Sequence, residues 1–172
     1  IHHELKLTLI YVTHDQIEAL TFASQVVVMT RGRAVQVGSA EALFERPAHT
    51  FVGHFIGSPG MNVLPCEVKD GVALFAGETI AVGNGAHARG KGRSEIGVRP
   101  EFVSFANAGI AADVVRVSDA GRFRIVEARS HGHSIKLLVK EGETVPEGQT
   151  FLAFDAAHTQ VYEDGWMAGA RR

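Results

Sequence analysis

The sequence of 172 residues is short of most features that place a protein at once. It has one cysteine, Cys66, so no internal disulfide can brace it, and a secreted, oxidising setting is disfavoured. It has no excess of either charge: 17 Lys and Arg face 19 Asp and Glu, a net charge of -2 with His neutral. The basic field that marks a nucleic-acid or anionic-membrane binder is therefore missing. No run approaches the roughly 20 apolar residues of a membrane helix. The longest apolar runs, Leu7 to Val12 and Val26 to Met29, have strand length. Ile1-His2-His3 opens the chain without Met and without an apolar leader, so a piece of something longer is expected. What is present suits a folded protein: 45% hydrophobic residues can build one domain or two small ones. The 19 glycines point to many turns.

Residues 1 to 57 read as mixed α/β. Leu7-Thr8-Leu9-Ile10-Tyr11-Val12 is nearly continuous apolar and β-branched, the pattern of a strand covered on both faces. Ile17, Leu20 and Ala23 then recur at helical spacing, with Asp15 as cap and Glu18 completing a capping-box pair. Val26 to Met29 and Ala34 to Val37 form a hairpin around Arg31-Gly32. Ser39 caps a helix through Phe44 that Pro47 ends, and Phe51, Val52, Phe55 and Ile56 make a further helical face. Gly57-Ser58-Pro59-Gly60 breaks it and is expected to be a domain boundary. Beyond residue 60 the period changes to two. Strands are predicted near Val63–Val68, Val72–Phe75, Thr79–Val82, Glu95–Arg99, Ile110–Val117, Phe123–Ala128, Ser134–Val139 and Thr150–Phe154. Short strands at this spacing indicate a barrel or sandwich.

His14 is the sharpest candidate for chemistry. It stands where the first predicted strand ends and a capped helix begins, the edge at which open α/β sheets bind ligands. An imidazole there can donate to a phosphate oxygen or position a water; a solvated loop histidine is the competing reading.

The run Tyr11-Val12-Thr13-His14-Asp15-Gln16-Ile17-Glu18-Ala19-Leu20 resembles the switch-histidine segment, or H-loop, of ATP-binding-cassette ATPases. The likeness is to the ATP-binding subunits of sugar and glycerol-phosphate importers. It continues through Val26–Met29, Gly32-Arg33, Gln36-Val37-Gly38, Pro47, Phe51-Val52 and Phe55-Ile56-Gly57. Met61-Asn62-Val63-Leu64-Pro65 and Val98-Arg99-Pro100-Glu101 are similar to markers of that family's transport-associated OB regulatory domain. The likeness is dense to Pro65, patchy to Glu101 and weak beyond. One departure is Ser24, where the family usually has Asp after the helix.

The resemblance implies an α+β fold class: an α/β remnant of a nucleotide-binding domain over residues 1–57, then an all-β OB-like barrel over 58–172. It implies that His14 contacts the γ-phosphate of ATP, with Asp15 capping the helix that supports it, and that a larger parent binds ATP and Mg2+. It also implies a homodimer paired through the C-terminal domains, membrane permease subunits as partners, and a cytoplasmic, peripheral location. A regulatory protein or small ligand could dock on the barrel, with Arg99 and Glu101 as candidates. An alternative is a free-standing OB-like module for a small oxyanion or oligosaccharide, which leaves residues 1–57 unexplained. A complete enzyme built on His14 lacks a nucleophile, a carboxylate pair or a phosphate loop.

Phosphate loops need G-x-x-x-x-G-K-[ST] between a strand and a helix. Gly85-Ala86-His87-Ala88-Arg89-Gly90-Lys91-Gly92 comes nearest, but Gly92 replaces the hydroxyl and a strand is predicted next, so it reads as a basic loop. With neither an acidic Walker-B strand nor a signature motif in view, this chain alone is expected not to bind or hydrolyse ATP and to need no cofactor. No metal site is expected either: His2-His3 and His131-Gly132-His133 are pairs, whereas zinc needs three or four converging ligands. Cys66 is expected to be an inert thiol, and Phe102, Phe105, Phe123 and Phe151 to be barrel core. Arg99-Pro100-Glu101 reads equally as a strand end and rigid turn with a local ion pair. Without sheet neighbours for Leu7 to Val12, a dimer with rearranged or exchanged N-terminal segments is expected.

Overall fold

The computed structural model describes residues 8–85 and 92–169. Helix α1 spans Gln16–Phe22, and the Asp15 carboxylate accepts from the Ile17 and Glu18 amides as its N-cap. Strands β1 (Val26–Thr30) and β2 (Arg33–Gly38) form an antiparallel hairpin. Ser39 caps α2 (Ala40–Glu45) through the Ala42 amide, and α3 covers Thr50–Phe55. Pro47 stands between them, where its ring would obstruct a continuing helix.

The rest is β. In chain order the strands are β3 Asn62–Pro65, β4 Glu67–Lys69, β5 Val72–Phe75, β6 Glu78–Ile80, β7 Ser94–Val98, β8 Val103–Ala106, β9 Ile110–Asp119, β10 Phe123–Ser130, β11 His133–Lys140, β12 Gln149–Phe154, β13 Thr159–Glu163 and β14 Trp166–Met167. They assemble into a five-stranded sheet β11-β10-β9-β12-β8, a four-stranded sheet β14-β13-β7-β3 and a three-stranded sheet β4-β5-β6. Five of the hairpins turn on a two-residue X-Gly pair with both φ positive, as a type I′ turn requires: Arg31-Gly32, Asp70-Gly71, Ala76-Gly77, His131-Gly132 and Asp164-Gly165.

The inward residues of these sheets share one core, including Leu64, Phe75, Ile96, Val126, Leu137 and Leu152. A second, smaller core joins Val28, Leu43, Val52 and Ile56, with Leu20, Val35, Phe44, Phe51 and Phe55 around it. The two cores are stitched together by backbone. Met61 N donates to Gly53 O (3.0 Å), Thr50 N to Gly165 O (2.8 Å) and Met167 N to Ala48 O (2.9 Å). The buried Tyr162 hydroxyl donates to Pro47 O (2.9 Å), and the rings of His49 and Trp166 meet edge to face at 4.8 Å. Asn62 closes the seam between two sheets: its side-chain amide donates to Lys136 O and accepts from Lys136 N, both at 2.8 Å.

Three expectations need correction. Residues 8–12 form no strand, and Ile10 and Val12 are 85% and 90% exposed. A strand covered on both faces needs neighbours on its edges, and none pairs with it among the described residues. Glu18 does not close a capping box. Its carboxylate accepts the Tyr11 and Thr13 hydroxyls, and the Asp15 amide turns to Thr13 Oγ1 instead. Phe123 and Phe151 are not core. Phe123 lies at the open end of the β10–β11 ladder, and Phe151 faces away from the core that its neighbour Leu152 enters. Phe102 and Phe105 do pack against the core. The segment Gly85–Gly92 is followed by strand β7, as expected of a loop, although its residues 86–91 lie outside the described residues, as do His2-His3.

Candidate functional site

His14 sits in a bend one residue before the cap of α1 and is exposed. Local side chains hold the bend. Asp15 gathers the Ile17 and Glu18 amides, Thr13 Oγ1 takes the Asp15 amide at 3.0 Å, and Glu18 ties Thr13 and Tyr11 at 3.0 and 3.1 Å. The Glu18 carboxylate raises the Tyr11 phenol above its ordinary range, so Tyr11 stays a donor at neutral pH. His14 itself has no hydrogen-bond or ion-pair partner among the described residues. Its imidazole is therefore free to donate to an anion delivered from outside the described surface.

Arg99 is placed quite differently from Glu101. Strand β7 ends at Val98, and a 3-10 turn over Pro100–Phe102 follows, which is the predicted strand end and rigid turn. Arg99 turns inward and is 3% exposed. Its Nε donates to Phe44 O at 2.6 Å and its Nη1 to Ile56 O at 2.6 Å, and the guanidinium carbon lies 3.9 Å from the centre of the Phe44 ring. Longer contacts at 3.5 Å reach Gly53 O and Leu43 O. These are last-turn carbonyls of α2 and α3, where a cation complements the helix dipoles. Burial pulls the guanidinium pKa down, and Glu101 opposes this as a nearby charge rather than a hydrogen-bonded partner. Glu101 is exposed.

The other candidates resolve into packing. Cys66 is half-buried, and loss of solvent pushes its thiol up to about 11, aided by the Glu95 charge, so it is a poor nucleophile. His131 and His133 both lie edge-on to Phe75, at 6.1 and 5.8 Å. Among the described residues no three His, Cys, Asp or Glu side chains converge on a point. The described residues therefore hold no carboxylate cluster that would bind Mg2+ by itself. The described residues contain no helix long and apolar enough to cross a membrane.

Residues 57–103 match the family described as the MalK OB fold domain. An ABC transporter ATP-binding protein of Sinorhizobium fredii is 39% identical over 87% of this chain. Over most of its length the chain is similar to ABC-importer ATP-binding proteins. The sn-glycerol-3-phosphate import ATP-binding proteins UgpC 2 of Agrobacterium fabrum and UgpC of Bordetella pertussis are 36% and 38% identical over 95% and 78% of it. The chain spans less than half of these relatives, 41%, 45% and 38% of their lengths in the same order. The OB match begins at Gly57, beside the carbonyl that Arg99 holds, and ends at Val103, the first residue of β8.

Sequence reasoning passed over Gln16, Asn62 and Tyr162. Each acts through one or two polar atoms at long chain separation, which leaves no trace in periodicity. Only their presence inside motif segments could have drawn notice to Gln16 and Asn62.

Proposed function

We propose that this chain is the part of an ABC importer's ATP-binding subunit that carries the switch histidine and the regulatory β domain. The parent binds ATP and Mg2+ and couples hydrolysis to import of a carbohydrate or glycerol phosphate. It works as a homodimer docked on membrane permease subunits at the cytoplasmic face. Residues 1–57 belong to its nucleotide-binding domain and residues 58–172 to its regulatory domain.

The observation that carries the reading is the His14 bend: an exposed imidazole with no partner among the described residues, presented by a capped helix in a chain similar to this family. In that position His14 donates to the γ-phosphate and steadies the hydrolytic geometry. Phosphoryl transfer depends on such positioning and charge stabilisation. Asp15 holds the loop that aims it.

In the ATP-binding protein containing this chain, His14→Ala should lower turnover by about a hundredfold or more while nucleotide binding persists. Unchanged turnover refutes the role. Calorimetry on the 172 residues alone should show no MgATP binding, and micromolar affinity would refute the division of labour.

A further inference from the structure

The expected domain boundary at Gly57 is a clamped peptide. The Ile56 carbonyl and the Gly57 amide belong to a single planar unit. Its oxygen accepts Arg99 Nη1 at 2.6 Å, and its N–H donates to Gln16 Oε1 at 3.2 Å. A trans peptide directs these groups to opposite sides, so Arg99 and Gln16 grip it from opposite sides. The two contacts join residues 43 and 41 positions apart.

We propose that this peptide couples the β domain to the His14 loop, with Gln16 and Arg99 as positioning residues. The functional half rests on the switch-histidine reading above; the physical link does not.

One end of the link is fixed. Arg99 is buried, bonded to Phe44 O and stacked on the Phe44 ring, so its guanidinium has little freedom. The middle is fixed too. Gly57 has φ +116°, where a side chain is strained, and a Cβ there would lie 2.8 Å from Arg99 Nη1. The other end is lightly held. No residue of α1 is buried, so packing alone does not set where the helix begins. Gln16 is its first residue, two positions after His14 and next to the Asp15 cap. A shift of Arg99 with β7 therefore displaces the Ile56 carbonyl, tilts the whole peptide and moves the acceptor that anchors the start of α1. A charged donor on the carbonyl also polarises the N–H across the same unit and strengthens its bond to Gln16.

Nuclear magnetic resonance of the 172-residue chain tests the link. Gln16→Ala should shift the Gly57 amide and, through the peptide, the Arg99 Nε signal and the amides near Phe44. Gln16→Glu keeps an acceptor and should leave the Arg99 Nε signal close to wild type. An unmoved Arg99 Nε signal in Gln16→Ala overturns the link. Gln16 starts a partly exposed helix, so its variants remain informative even where Arg99→Ala does not fold. In the ATP-binding protein that contains the chain, Gln16→Ala should lower kcat about three- to thirtyfold with KM for ATP unchanged, and Gln16→Glu should restore it. A wild-type kcat in Gln16→Ala, with His14→Ala inactive, overturns the coupling but leaves the switch reading intact. Normal turnover in His14→Ala, with the Arg99 signal moved by Gln16→Ala, overturns the switch reading and leaves the link standing.

Discussion

Residues 8–22 and residues 39–57 are close in sequence and comparable in apolar content, yet the structure treats them in opposite ways. The first segment leaves Leu9, Ile10, Tyr11, Val12, Ile17 and Phe22 exposed and buries nothing in α1. The second buries Leu43, Val52 and Ile56 and is tied to the β domain by backbone bonds from Ala48, Thr50 and Gly53. Apolar content makes burial favourable, but it does not supply a surface to bury against. The second segment has such a surface in Val28 and Val35 of the β1–β2 hairpin, and Arg99 fastens it to the β domain. The first meets such a surface among the described residues only at Leu20, which packs against the second core.

The comparison breaks most sharply at Arg99. Arg99→Ala should destabilise the chain by about 3–5 kcal/mol in urea unfolding, because buried carbonyls of α2 and α3 lose a charged donor. An exposed control, Arg129→Ala, should stay within about 0.5 kcal/mol. A small effect at Arg99 would show that the second segment is held by packing alone. Next come two deletions of aliphatic side chains. Leu152→Ala in the β core should cost about 2–5 kcal/mol, whereas Ile10→Ala, which removes no buried surface, should fall within about 0.5 kcal/mol. An equal cost would mean that residues 8–12 are covered in solution, as by a second copy of the chain.

The smallest effect concerns acid. The His49 ring accepts the Phe51 amide through Nδ1 at 2.9 Å and so caps α3 in its neutral form. Burial against Trp166 holds its pKa below the ordinary 6.5, and the distant Glu95 charge opposes this weakly. Because the folded value is depressed, the neutral form favours folding. The contribution is present above pH 6.5 and is lost as pH falls through that value toward the folded one. The free energy of unfolding should therefore fall as the pH drops below 6.5, and His49→Asn, which keeps a cap without titrating, should flatten that step.

The β half was legible because alternation and turn chemistry are local. Val72–Phe75 was placed to the residue, and Asp70-Gly71 marked its turn. Strands β8, β13 and β14 escaped because they are short and are defined by their partners, not by their own pattern. Arg99 and Glu101 were singled out together, but nothing in the sequence distinguishes a buried arginine from an exposed glutamate two positions later. Leu7 to Val12 read as a covered strand because its composition records an environment that the described residues do not supply.

The Asn62 seam has a consequence for how the two sheets keep their register. Strand β11 ends the five-stranded sheet in hydrogen-bonding order, yet it is packed against β3, β8 and the Pro100–Phe102 turn. At Lys136, midway along β11, the N–H and C=O are both taken by one side-chain amide from β3. The amide imitates a peptide and carries the ladder across a gap between sheets that no backbone pair spans. Conversion of that amide to a carboxylate would remove the donor to the Lys136 carbonyl and leave the two sheets joined there by one bond in place of two.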